Sequence, residues 1–132
     1  VSVAVPDASV LVAALIDVGD NGRWAEERVF GHTLAAPHLA LVEASNILRR
    51  ATLAGEIDPR EASLAHIDLV ELDLGLFSFE PFAPRVWELR DNLTAYDAWH
   101  VALAEALGCP LLTLDRRLGR APGVGCPVHL PD

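Results

Sequence analysis

The stretch TAYDAWHVALAEALGCPLLTLDRRL, residues 94–118, carries a helix start, a helix stop and a buried strand in immediate succession. Thr94 and Asp97 stand three apart before an apolar run, the spacing of a capping box, so the helix is expected to begin at Ala95. Alanines and leucines then favour helix through Leu107, and Gly108 supplies the residue that most readily takes the left-handed turn ending it. Leu111–Leu114 is short, apolar but for Thr113 and bounded by turn residues, which predicts a buried strand ending at Asp115. A helix feeding a buried strand is half of an α/β repeat.

Working outward, Val3–Pro6 reads as a second buried strand, followed by a helix over Ala8–Asp17. Asp20, Asn21 and Gly22 predict a turn, and Arg23–Phe30 an amphipathic helix. Thr33–Ala36 is a brief strand. From His38 to Thr52 the apolar positions Leu39, Val42, Ile47 and Leu48 make a helical stripe, with Glu43, Asn46 and Arg50 near another face. Asp58-Pro59-Arg60-Glu61 combines an N-cap, a proline at the first helical position and a capping-box glutamate, and the helix should run to about Asp73. Phe77–Phe79 reads as a strand, Pro84–Arg90 as a short helix and Val128–Leu130 as a last strand. Strands alternating with helices predict a single α/β domain over 1–132, a mostly parallel sheet with helices on both faces.

Composition narrows the chemistry. The 132 residues suffice to bury one core, and no apolar run approaches the ~18 residues of a membrane span. Nor does a basic, hydrophobic leader open the chain, so a soluble cytoplasmic protein is expected. All ten basic residues are arginines. The absence of lysine excludes Schiff-base chemistry and a P-loop lysine, and it argues against an aspartate-phosphorylated receiver module. A net charge of −9 leaves no global basic field for nucleic acid, so any phosphate must be held by local arginines or by metal. Cys109 and Cys126 share the context Gly-Cys-Pro before the last two apolar runs, which makes them neighbours if those runs pair. Free buried thiols are expected over a disulfide.

Four acids fall where such a fold gathers side chains at the carboxyl edge of its sheet. Asp7 and Asp115 end apolar runs, and residues just past strand ends line the ligand crevice of an open parallel sheet. Glu43 and Asp97 lie on helical segments able to reach the same crevice. Clustered carboxylates repel one another and raise their pKa values unless a cation is shared, which points to a hard metal ion. Ser9 and Thr113 offer supporting hydroxyls, and Asn46 an amide one helical turn from Glu43. Each feature also has a plain structural reading. Asp7 can simply cap the next helix, Asp97 can complete its capping box, and Glu43, Asn46 and Arg50 can form a solvated stripe. His100 can contact phosphate or pack, and Arg116, Arg117 and Arg120 can hold phosphates or merely end a helix.

Taken together, VPDASVLV (5–12), APHLALVEASNILRR (36–50) and residues 94–118 resemble the PIN-domain nucleases, and within them the VapC-type ribonuclease toxins of toxin–antitoxin pairs. The resemblance implies a PIN-like three-layer sandwich in which Asp7, Glu43, Asp97 and Asp115 are the acidic quartet, with Ser9, Thr113 and Asn46 in support and Asn92 and Tyr96 nearby. It implies Mg²⁺ or Mn²⁺ as cofactor and endonucleolytic hydrolysis of RNA to a 5′-phosphate and a 3′-hydroxyl. It further implies a homodimer inhibited by a small VapB-type antitoxin. The competing reading of the residues alone is a non-catalytic α/β module whose acidic surface binds a protein.

Overall fold

The computed structural model describes residues 2–132. The first strand, β1 (Val3–Pro6), leads through Asp7 into α1 (Ala8–Ile16), and α2 (Asp20–Phe30) leads to β2 (Thr33–Pro37). Two helices, α3 (Ala40–Leu53) and α4 (Pro59–Glu71), precede β3 (Leu74–Phe77). A 3₁₀ turn at Glu80–Phe82 runs into α5 (Ala83–Glu88), then α6 (Ala95–Leu107), β4 (Leu111–Leu112), α7 (Arg116–Arg120) and β5 (Val128–His129). The strands form one sheet in the order β3-β2-β1-β4-β5, with every pairing parallel.

Period-two alternation along the strands divides the core into two. Ala4, Leu34, Ala36 and Leu112 face one side and pack with α1, α2, α3 and α4; Val5, Ala35 and Leu111 face the other and pack with α5, α6 and Leu118 of α7. Three layers result, as the alternation of elements predicts. Burial on both faces explains why the central strands are uninterrupted apolar runs.

The expected helix over 94–107 is present: Thr94 Oγ1 accepts from the Asp97 N–H at 3.2 Å, and Gly108 stops the helix at φ 63°. Asp58 caps α4 through the Arg60 N–H at 2.7 Å. Three expectations need correction. Asp20, Asn21 and Gly22 belong to the first turn of α2, because Gly22 is where α2 meets the end of α1; a Cβ there would sit 1.8 Å from the Asp17 carbonyl oxygen. The third strand lies earlier than Phe77–Phe79, since its ladder with β2 runs from Leu34↔Leu74 to Pro37↔Phe77. The strand before Asp115 closes at Leu112, where Thr113 turns its hydroxyl to other partners. Cys109 and Cys126 are free thiols at the starts of paired β4 and β5, and burial, with help from the Glu105 and Cys109 charges, pushes Cys126 up to about 11.

Candidate metal and hydrolytic site

The chain leaves β1 to build β2 and β3 on one side, then returns to place β4 on the other side of β1. This reversal opens a crevice beyond the carboxyl ends of β1 and β4, the position where ligands bind in open α/β sheets. Asp7 follows β1 directly and Asp115 lies shortly after β4. Glu43 is in the first turn of α3 and Asp97 in the first turn of α6. Helix starts carry partial positive charge, which lowers the cost of keeping anions together.

Asp7 is the most constrained of the four. Its Oδ1 accepts from Ser9 Oγ at 2.5 Å and from the Val10 N–H at 3.1 Å, and its Oδ2 accepts from Thr113 Oγ1 at 2.5 Å. It therefore caps α1 as the structural reading has it, and its negative charge is felt at both Glu43 and Asp97. Thr113 is wholly buried, and its hydroxyl oxygen also accepts from the Asp115 N–H at 3.0 Å. This one hydroxyl ties the end of β1 to the end of β4. It orients the Asp7 carboxylate, not that of Asp115.

Asp115 turns outward. Its carboxylate accepts from Arg117 Nε at 3.2 Å and Nη2 at 3.0 Å and caps α7 through the Arg117 N–H at 2.9 Å. These hydrogen bonds hold it below the usual carboxylate range. Arg116 donates to the Pro131 carbonyl at 3.1 Å.

Glu43 and Asp97 behave oppositely. Burial raises both above the ordinary carboxylate range; the Asp97 and Asp7 charges add to the rise at Glu43, and those of Asp7 and Asp115 add to it at Asp97, while His100 lowers both. Glu43 Oε1 is buried and has no hydrogen-bond partner, so Asn46 does not support that oxygen. Asn46 nevertheless lines a cavity of about 410 Å³ with Glu43, Arg50, Tyr96, Leu39, Val42 and Ile47. Asn92 is spent elsewhere, donating to the Pro122 carbonyl at 3.3 Å. His100 is buried rather than surface-placed: Nδ1 lies 2.8 Å from the Tyr96 carbonyl, and Nε2 has no partner.

Among the described residues, no three His, Cys, Asp or Glu side chains stand close enough to enclose an ion as they lie. The donor set still fits a hard cation. Every donor is a carboxylate oxygen, one of them is buried and unpartnered, and two carboxylates are strained by neighbouring negative charge. A cavity of about 510 Å³ between α3 and α4 contains none of these acids. No helix among the described residues is long and apolar enough to cross a membrane.

Comparison with known proteins identifies the family and the fold. The PIN domain model matches residues 4–124. Ribonuclease VapC1 of Mycobacterium tuberculosis is 40% identical over 96% of each chain, and Ribonuclease VapC9 of the same species is 36% identical over 94% of each. Among solved structures, PAE2754 from Pyrobaculum aerophilum superimposes with a TM-score of 0.70 at 24% identity, covering 96% of this chain and 83% of that one. VapBC2 from Rickettsia felis, bound to a promoter DNA fragment, gives 0.67 at 16% identity and covers 98% of this chain and 99% of the other. The chain belongs to the PIN-domain family, and within it to the VapC ribonucleases.

Proposed function

We propose that the chain is a metal-dependent endoribonuclease, the toxin of a toxin–antitoxin pair, acting through Asp7, Glu43, Asp97 and Asp115. The observation that carries this reading is Glu43 Oε1, a buried acidic oxygen without a partner in a crevice of like charges. A carboxylate in that position is costly unless a cation completes it. Asp7, Glu43 and Asp97 would hold Mg²⁺ or Mn²⁺, and Asp115 would join them by rotating off Arg117. The ion, when bound, supplies Lewis acidity toward the phosphate and a water of lowered pKa.

The chain's own groups do the rest. Ser9, Val10 and Thr113 fix the Asp7 carboxylate so that one face stays toward the crevice. Thr113 also sets the spacing between the β1 and β4 ends. Arg50 beside Glu43 supplies positive charge for a phosphate, which an overall charge of −9 does not.

An antitoxin partner is supported by structural neighbours that are toxin–antitoxin complexes, among them one from Klebsiella pneumoniae with a TM-score of 0.66 at 18% identity. An arginine from such a partner, paired bidentately with the crevice carboxylates, would exclude metal without unfolding the chain. The acidic surface and exposed apolar residues such as Leu53, Ile67 and Val70 also favour a homodimer or partner contact.

The test is cleavage of single-stranded RNA by the purified chain during a Mg²⁺ titration, repeated with Asp7→Asn. Activity that rises with Mg²⁺, disappears in EDTA and is absent from the variant supports the reading. Full activity in EDTA removes the metal, and no cleavage of any RNA under any metal favours the protein-binding module.

A further inference from the structure

Next to the cavity lined by Glu43 and Arg50 lies a second one, about 380 Å³, lined by Leu39, Phe79, Ala95, Tyr96 and Trp99. Leu39 and Tyr96 line both cavities, so the two are neighbours. The second is aromatic in character. Phe79 meets Trp99 edge to face with ring centroids 5.2 Å apart, and Tyr96, Phe79 and Leu39 keep substantial exposure at its mouth. Trp99 is buried, and its Nε1–H has no acceptor among the described residues. Trp99 thus supplies a buried wall and Tyr96 and Phe79 an exposed aromatic rim, surfaces on which a flat ring can stack.

The Glu43 cavity contributes a cation. Arg50 lines it and makes no ion pair among the described residues, while the ion-paired arginines are Arg23, Arg28, Arg85 and Arg117. An unpaired guanidinium beside an aromatic cleft matches a ligand in which a flat heterocycle is joined to a phosphate.

From this juxtaposition we infer that the cleft of Tyr96, Phe79 and Trp99 is a nucleobase subsite. It takes one unstacked base of a single-stranded RNA whose adjoining phosphate lies on Arg50 in the neighbouring Glu43 cavity. Stacking on aromatic side chains tolerates every base, so the subsite demands a single strand more than a sequence. This inference rests on the proposed ribonuclease activity but makes a separate claim, that the base and not only the backbone is held.

Binding measured without catalysis separates the two. In the chain carrying Trp24→Phe and Trp87→Phe, Trp99 is the sole indole, and its fluorescence is followed in EDTA during titration with four homopolymeric RNA decamers and one abasic ribose-phosphate decamer. At least one homopolymer should quench Trp99 with an affinity about ten-fold above the abasic chain, the size expected for one stacked base. Tyr96→Leu should remove that advantage without weakening abasic binding, Tyr96→Phe should keep it, and Arg50→Gln should weaken both kinds of chain alike. Equal affinity for abasic and base-bearing chains, or no response of Trp99 to any of them, overturns the subsite even if RNA is cleaved. A base-dependent response in a chain that cuts no RNA would uphold the subsite and reject the nuclease.

Discussion

Glu43 and Glu105 are the same residue in partly buried positions on opposite sides of the sheet, and they have opposite fates. Glu105, near the end of α6, accepts from Arg85 Nε at 2.8 Å, from Arg85 Nη2 at 3.0 Å and from the Gly125 N–H at 2.7 Å. Arg85 in turn donates to the Gly123 carbonyl at 2.8 Å, so one carboxylate fastens α5, α6 and the loop before β5. Its pKa is lowered, chiefly by the Arg85 hydrogen bond. Glu43 has a raised pKa and an unpartnered buried oxygen. The contrast teaches that burial alone does not mark an acid as structural. Glu105 sits at a helix end that disfavours negative charge and has been given every partner it needs, whereas Glu43 sits at a favourable helix start and lacks one.

The sharpest break in this comparison is catalytic. Glu43→Gln should lower RNA cleavage by more than the ~10–100-fold that loss of a supporting residue usually costs, while Glu105→Gln should leave turnover unchanged. Single-turnover rates at saturating Mg²⁺ decide it, and near wild-type turnover in Glu43→Gln would place it with the surface stripe.

Thr113→Val should fall between the two regions. It keeps the buried volume but strips a partner from Asp7 Oδ2 and another from the Asp115 N–H. A loss of about 10–100-fold in activity and about 1–3 kcal/mol in urea stability is expected. Loss of stability with unchanged kcat would make Thr113 a packing residue only.

On the paired side the loss should be in stability alone. Arg85→Ala leaves Glu105 with the Gly125 N–H and frees the loop carbonyl of Gly123. Because Arg85 is about a third exposed, solvent screening limits the expected cost to about 1–2 kcal/mol in chemical denaturation. RNA cleavage should not change.

The smallest effect is in pH dependence, and its sign differs between the regions. In metal-free protein the raised pKa values of Glu43 and Asp97 give stability that is fully present below their ordinary values of 4.5 and 3.8 and is lost as pH rises through the raised ones. The lowered values of Glu105 and Asp115 give stability that is present above 4.5 and 3.8 and is lost as pH falls through the lowered ones. Glu43→Gln should therefore stabilise the metal-free chain near neutrality, and Glu105→Gln should destabilise it. Urea melts between about pH 3 and 7 measure both, and parallel shifts would erase the distinction.

What could be read from sequence followed local signals. The Thr94 cap, the Gly108 stop and the apolar run after it specify α6 and β4 because each acts within a few residues, and the capped start of α4 was equally plain. Asp7 and Asp115 could be expected on one edge because parallel neighbours, here β1 and β4, end at the same side of the sheet. Gly22 misled because its lack of a side chain serves contact between α1 and α2, a distant requirement that resembles a turn signal. The Arg85–Glu105 pair spans 20 residues and has no local signature. Nor had the bond from Thr113 to Asp7, across 106 residues, although Thr113 already stood out as a supporting hydroxyl. The burial of His100 and the aromatic cleft at Trp99 became visible only once α6 was packed on the sheet.

The most direct test of a cation-completed crevice is Mn²⁺ uptake, followed by electron paramagnetic resonance for the wild-type chain, Glu43→Gln and Glu105→Gln. The wild type and Glu105→Gln should bind Mn²⁺ alike and release it to excess Mg²⁺, and Glu43→Gln should bind it far more weakly. Wild-type Mn²⁺ affinity in Glu43→Gln, or no Mn²⁺ binding by the wild type, would contradict the account.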